Sequence, residues 1–402
     1  MVIKIETLYL MKKNEPVIEI FMEGKAIRAF KMLNRNHIPH GLINPAHSLN
    51  NFNNIYMSID MWIKSRCIPN SRQEFSHAKS KLKLIDLTKI VMHNYGLSLN
   101  DDYWFKLETD TVTWEEINFF SNTYSKELGD YITNPRIIND ICNFVSPDLT
   151  TNGDDFKRWK QDDNNVSYLY KTNVDNAQVA CNELFASNLC DILGFNHIKY
   201  EIKEEPVIIY KGKKQQFQEM VDVYEERNCV FAYSQNYCTE NKSFLSAQNF
   251  LHMLQPATST TLIAAFKKNP RFKKELDKMI FLDYIIENTD RSGNNYGFIV
   301  NENNEIIDLF PIFDCGNSMC YLDRYREDTR DYSKMFNKPF NQLLELIDDI
   351  DVDFEALLKI DDMYYKTYEL SEMNESELYQ VLKAYKERVN QAKEILYNKK
   401  NF

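Results

Sequence analysis

The sequence predicts an α+β chain with a small β-rich lobe, a larger helical lobe and an extra α/β unit ahead of both. Three observations predict it. Before residue 240, apolar and polar residues alternate in short runs, the period of half-buried strands. Beyond residue 243 the apolar spacing is mostly helical. One hairpin pattern interrupts that helical half, at 296–313, with acidic residues at its base. The expected units are 1–135, 136–240 and 241–402.

Composition narrows the function classes. A net charge of −11 excludes a broad nucleic-acid surface, which needs clustered Lys and Arg. The eight cysteines form no CxxC pair, which speaks against zinc and a disulfide framework and for a reducing compartment. Lys4 and Glu6 interrupt any leader-like apolar core, and no apolar run approaches membrane-spanning length. The expectation is a soluble cytoplasmic protein.

In the first unit, residues 2–6 and 16–22 alternate as strands, with Glu23-Gly24-Lys25 as a turn. A helix is expected over 71–95, stopped by Gly96. Thr113-Trp114-Glu115-Glu116 has capping-box spacing and is expected to open a helix that includes Ile117, Phe119 and Phe120. His37, His40 and His47 match no metal-site spacing and read as surface or turn residues.

The second unit begins with a polar loop, 146–153, followed by Lys157-Arg158-Trp159. Residues 166–171 read as a strand ending in Lys171. From 178 to 193 the period becomes helical, with Cys181, Leu184, Phe185, Leu189, Ile192 and Leu193 on one face and Glu183 on its flank. Gly194 ends that helix. Residues 198–202, 207–210 and 230–233 are further strands, with Lys211-Gly212-Lys213 as a turn. A small antiparallel sheet with one helix is the simplest assembly.

The third unit reads as helices at 248–254, 259–268, 272–287, 339–347, 354–358 and 375–398, the last capped by Asn374 with Glu377 three residues on. Its hairpin pairs 296–300 with 305–313 through Asn301-Glu302-Asn303-Asn304. Asn295 and Asp314, nineteen positions apart, thereby become neighbours. Asp290 lies in the polar knot 288–295. Two carboxylates and an amide at one end of a hairpin suit a hard cation such as Mg²⁺, held together with phosphate oxygens.

Polar loop, strand lysine, helix glutamate, then Asp290, Asn295 and Asp314: this is the order of parts in a protein-kinase-like phosphotransferase. Asp290-x-x-x-x-Asn295 has catalytic-loop spacing, and Asp314-Cys315-Gly316 stands as D-x-G. Phosphoryl transfer needs charge neutralisation and in-line positioning. In that chemistry Asp314 and Asn295 bind Mg²⁺ and Asp290 takes the proton of the attacking hydroxyl. Lys171 grips phosphate oxygens, Glu183 fixes Lys171, and the N–H groups of Thr150, Thr151, Asn152 and Gly153 cover the phosphates. Taken singly, these are ordinary features: a strand-end lysine in water, a solvated helix glutamate, turn-forming Asp and Asn. Their joint order carries the reading.

The chain also resembles the HipA-like serine/threonine kinases, the toxin kinases of bacterial toxin–antitoxin modules, and among them the Gram-positive relatives with a long N-terminal region. The resemblance rests on Asn288-Thr289-Asp290-Arg291-Ser292-Gly293-Asn294-Asn295-Tyr296-Gly297 against N-x-D-R-H-x-x-N-x-G. It rests as well on Pro311-Ile312-Phe313-Asp314-Cys315-Gly316-Asn317-Ser318, on the 146–153 loop, on Asn182-Glu183, and on Asn337-Lys338-Pro339-Phe340 against S-K-P-F. It covers about residues 140–345. It implies a bilobal kinase fold, ATP with Mg²⁺, a protein Ser or Thr acceptor, and autophosphorylation in the loop at Ser146, Thr150 or Thr151. It places the adenine-facing hinge at 234–237, with Gln235 and Tyr237. It implies an antitoxin-like regulator as partner, through which any DNA contact would come. Two departures stand out: Ser292 replaces the usual His, and the loop has only Gly153, flanked by Asp154 and Asp155. A small-molecule or lipid kinase and a nucleotide-binding pseudokinase acting as an interaction module stay open as alternatives.

Overall fold

The computed structural model describes residues 5–24, 26–42, 52–69, 72, 94–136, 143, 145–216, 219–254, 256–320 and 332–400. Most of the helix expected at 71–95 lies outside these residues, and so does His47.

The chain opens with an antiparallel sheet of β1 (Ile5–Lys12), β2 (Glu15–Glu23), β3 (Ala26–Met32) and β4 (Tyr103–Leu107), in the order β3-β2-β1-β4. Alternation gives it one apolar face, Leu8, Leu10, Ile18 and Ile20, which packs on Ile59 and Ile63 of α1 (Phe52–Ser65). That helix escaped the sequence reading. The capping box at Thr113 and Glu116 is present, but α2 (Trp114–Ile117) is a single turn. The expected extension through Phe119 and Phe120 is wrong. Asn118 Oδ1 accepts the N–H groups of Phe120 and Ser121, at 3.0 and 2.9 Å, and this side-chain turn displaces the next helical turn. His37 pairs with Glu15, and His40 reaches the Asn304 carbonyl at 2.8 Å.

After α3 (Glu127–Thr133) comes a second antiparallel sheet, ordered β5-β6-β8-β7. Its strands are β5 (Phe156–Gln161), β6 (Ser167–Thr172), β7 (Glu201–Gln216) and β8 (Glu219–Gln235). Leu128 and Tyr131 of α3 pack with Phe156 and Phe231 of the sheet. Between β6 and β7 lies α4 (Gln178–Leu193), ended by Gly194 as expected. Lys211-Gly212-Lys213 is not the expected turn. β7 runs through it, and the register slips between Tyr210 and Gly212, whose φ is 105°. The glycine serves a bulge, where positive φ costs it little.

The helical part has α5 (Ala247–Leu251), α6 (Ser259–Lys268) and α7 (Pro270–Ile286), then the hairpin β10 (Gly297–Asn301) and β11 (Ile306–Leu309). β9 (Lys242–Ser246), which the sequence reading missed, adds a third strand beside β10. A short pair, β12 (Tyr332–Ser333) and β13 (Lys338–Pro339), precedes α8 (Phe340–Leu344), α9 (Phe354–Leu358), α10 (Asp361–Thr367) and α11 (Glu375–Lys400). Asn374 and Glu377 cap α11 reciprocally, at 3.0 and 2.9 Å. The largest core joins these helices to the hairpin and to α4 through Phe185, Phe281, Ile285, Phe298, Leu343 and Tyr385.

Candidate active site

Three elements converge on one ammonium group. β6 carries Lys171, α4 carries Glu183, and the segment after β11 carries Asp314. Lys171 Nζ donates to Glu183 and, at 2.5 Å, to Asp314 Oδ1. Glu183 also accepts the backbone N–H groups of Cys315 at 3.0 Å and Gly316 at 2.8 Å. It therefore fixes both the lysine and the D-x-G backbone. Gly316 is glycine because a Cβ there would lie 2.7 Å from Val179 Cγ1 and 3.1 Å from Glu183 Oε1. On the same helix, Asn182 Nδ2 donates to the carbonyls of Gly316 and Ser318 at 2.7 and 2.8 Å, and Tyr368 secures its Oδ1.

The electrostatics follow from burial and partners. Burial works to depress Lys171, but Asp314 and Glu183 outweigh it and hold the ammonium well above its ordinary range. Burial works to raise Asp314, but Lys171 and Lys157 outweigh it and hold that carboxyl well below the usual range. Burial raises the Glu183 carboxyl, against Lys171 and the amides that favour its charge.

Arg291 ties the other half together. It is fully buried and forms a bidentate pair with Asp283, both contacts at 2.9 Å. Its Nη1 donates to the Asn295 carbonyl at 2.8 Å and to the Phe313 carbonyl. Its Nη2 donates to Cys315 Sγ at 3.1 Å. One guanidinium thus brackets the positions next to Asp314 and the backbone of Asn295, and it follows Asp290 in the chain. Asn295 Nδ2 donates to the Asp290 carbonyl at 2.9 Å. The Asp290 carboxylate accepts from Asn317 Nδ2 at 3.0 Å and from Lys334 Nζ.

Asp314 Oδ2 and Asn295 Oδ1 have no protein partner among the described residues. Among the described residues no group of three His, Cys, Asp or Glu side chains gathers as a metal cage. A donor set of one carboxylate and one amide oxygen fits Mg²⁺, which takes few protein ligands and completes its shell with water and phosphate.

The 146–153 loop faces inward. Ser146 caps a short 3₁₀ turn, Pro147–Thr150. Thr150 Oγ1 donates to the Leu97 carbonyl at 2.7 Å and Thr151 Oγ1 to the Pro147 carbonyl at 2.7 Å. Ser146 Oγ donates to Asp148 at 3.0 Å, and all three hydroxyl residues are buried. The Gly153 N–H goes to Asn152 Oδ1 at 2.8 Å. Buried Arg72 holds the loop carbonyls, reaching Thr151 at 3.0 Å and Gly153 at 2.7 Å. Of the hinge residues, Gln235 is exposed at the end of β8. Tyr237 is half-buried, edge-on to Phe310, with Lys242 over its ring at 4.5 Å.

No protein-family model matches the chain, and no curated protein matches it in sequence. Solved structures do match. HipA of Shewanella oneidensis MR-1, solved with HipB and its operator DNA, has a TM-score of 0.54 at 12% identity, covering 97% of this chain and 99% of that one. The chain has a HipA-like, kinase-like fold. The Helicobacter pylori proinflammatory kinase CtkA matches 61% of this chain and 92% of that one, at 14% identity and a TM-score of 0.41.

Within this HipA-like fold the sequence reading passed over a second lysine. Lys157 on β5 lies directly opposite Lys171 on β6 in the strand register. It is 9% exposed, and its Nζ donates to the Asn152 carbonyl at 3.3 Å and lies 3.8 Å from Asp155. Burial depresses its ammonium, with Lys171 and Arg72 adding to that against Asp314 and Asp155. Like charges set opposite one another across strands are unfavourable. An anion binding between them reverses the sign. The alternation Lys157-Arg158-Trp159 placed Lys157 on the same face as Trp159, which was the available signal. Asn317 stands in the 311–318 motif but was given no role, and Arg72 and Lys334 had no signal, because each meets the site through tertiary packing.

Proposed function

We propose that this chain is an ATP- and Mg²⁺-dependent phosphotransferase that acts on serine or threonine in a protein. The carrying observation is Lys171, held between Glu183 and Asp314, with Arg291 fixing the Asp290–Asn295 loop against the same segment. Lys171 and Lys157 bind the phosphates. Asn295 and Asp314 hold Mg²⁺, which neutralises phosphate charge when bound. Asp290 takes the proton as the hydroxyl oxygen bonds to the γ-phosphorus. The bond to the bridging β–γ oxygen breaks, and its electron pair leaves on ADP. Gln235 and Tyr237 face the adenine at the hinge.

The proposed units are 1–135, a β-rich lobe of 136–240 and a helical lobe of 241–402. Ser146, Thr150 and Thr151 are the proposed autophosphorylation sites; their buried hydroxyls require the loop to leave its place first. A cytoplasmic location is proposed as well, and no helix among the described residues is long and apolar enough to cross a membrane. The HipA structure contains HipB and DNA, which supports an antitoxin-like regulator for this chain too.

A second reading has a specific observation behind it. Asp154 and Asp155 beside Gly153 are a poor match for ATP, as a nucleotide-binding module without turnover would tolerate. Incubation with Mg²⁺ and γ-labelled ATP separates the two. Turnover supports the phosphotransferase; Mg-ATP thermal stabilisation without turnover supports the module. Absence of both contradicts each.

A further inference from the structure

Asp290 is where the proposed chemistry takes its proton, and its carboxylate meets a cation. That cation is not local. The residue two positions on is Ser292, uncharged, and its N–H is spent on the Asp290 carbonyl at 2.6 Å. The partner is Lys334, 44 positions downstream.

The way Lys334 is presented carries the argument. Its own side chain is 65% exposed, yet Ser333 and Met335 on either side are fully buried. The Lys334 N–H donates to the carbonyl of Thr289, the residue before Asp290, at 3.3 Å. Met335 lies in the main core, and the Phe336 ring stands edge-on to Tyr296 at 6.1 Å. Phe336 and Asn337 both adopt positive φ, 52° and 55°, in a sharp turn that β12 and β13 close. Tyr332 Oη clamps that turn by donating to the Asn337 carbonyl at 2.6 Å. A rigid knuckle therefore projects one flexible cation onto one carboxylate. On the other oxygen, Asn317 holds Asp290 at 3.0 Å, and Asn317 accepts from Thr289 through its own carbonyl.

An ion pair this exposed contributes little to stability. Its anchoring is out of proportion to that contribution. We propose that Lys334 is a positioning residue for Asp290. Together with Asn317 it sets the rotamer of the carboxylate and places a positive charge beside it, from the segment after the D-x-G turn. This rests on the phosphotransfer reading above. In that reaction the hydroxyl oxygen bonds to phosphorus, the proton goes to Asp290 and the electron pair of the broken P–O bond leaves on ADP. Lys334 acts through Asp290 by holding it in line and balancing charge beside it.

Two measurements on the full chain test this. In steady-state kinetics, Lys334→Ala lowers kcat about tenfold to a hundredfold, the scale of one charge-assisted hydrogen bond. The KM for ATP, the Mg-ATP thermal shift and the unfolding midpoint stay at parent values, and Lys334→Arg restores most of kcat. An unchanged kcat in Lys334→Ala overturns the proposal. So does a fall in kcat that tracks lost thermal stability and is not rescued by arginine, because that marks a structural role. The second measurement needs no turnover. Competitive acetylation read by mass spectrometry labels Lys334 faster, relative to the other lysines, in Asp290→Asn than in the parent. Equal labelling means that the pair does not exist and overturns the proposal. If the pair is present but the parent shows no turnover, the phosphotransfer reading fails, and this inference fails with it.

Discussion

Replacing Lys157 by methionine should move two measured quantities in opposite directions. The side chain is 11% exposed, with one long hydrogen bond at 3.3 Å and a carboxylate at 3.8 Å. It lies opposite Lys171, which already occupies Glu183 and Asp314. Without an anion, the fold therefore holds a poorly satisfied buried charge. Burying a charge without adequate partners is costly, so exchanging it for an apolar group of similar length removes that cost. Lys157→Met should raise the urea midpoint without changing the m-value, since the surface exposed on unfolding is the same. The nucleotide reports the reverse. A charge-assisted contact to phosphate is worth about 1.5–3 kcal/mol, so the Mg-ATP Kd should rise roughly tenfold to a hundredfold. Urea titration and isothermal calorimetry on the same preparations give both numbers. A variant that loses stability while keeping its Mg-ATP affinity would refute the reasoning, because Lys157 would then be structural.

Two further outcomes follow from the same contacts. Arg291→Met leaves Asp283 buried without its cation, so the chain should lose about 3–5 kcal/mol by urea titration; a loss below about 1 kcal/mol would mean that the guanidinium does not hold the Asp290–Asn295 loop. The Lys171–Asp314 pair makes a pH prediction. Asp314 titrates below its ordinary value of 3.8, so its contribution is present above that pH and is lost as pH falls further. Lys171 titrates above 10.5, so its contribution is present below that pH and is lost as pH rises through the raised value. The parent should therefore lose stability more steeply than Asp314→Asn below pH 3.8. Equal slopes would show that Asp314 is not held ionised by the lysines.

The sequence made the candidate site legible where local pattern and chemistry agree. The helix carrying Glu183 ends at its expected glycine, although Ile192 of its expected apolar face is exposed, and the hairpin has β-rich runs around an Asn-rich turn. Glu183, Lys171 and Asp314 could therefore be placed before their contacts were known. Legibility failed where side chains redirect the backbone or where distant segments meet. Asn118 turned a capped helix into a single turn, and Gly212 served a bulge, although the same residue types make ordinary turn signals. β9 was invisible because Lys242–Ser246 is short and its hydrogen bonds are made with a strand some fifty residues on. The resemblance offers the loop hydroxyls as phosphate acceptors, but in the fold the Leu97 and Pro147 carbonyls take Thr150 and Thr151 inward. Arg72 reaches the same loop from a position with no motif of its own.

The proposed phosphoryl transfer rests on Lys171, Glu183, Asp290, Asn295 and Asp314 acting together. Its most direct test is the parent and Asp290→Asn, each incubated with Mg²⁺ and γ-labelled ATP in the presence of a lysate, with phosphopeptides mapped by mass spectrometry. Phosphate on serine or threonine is expected with the parent, and a rate about 10²–10⁴-fold lower for Asp290→Asn at an unchanged melting temperature. Full transfer by Asp290→Asn, or none by a parent that Mg-ATP does not stabilise, would contradict it.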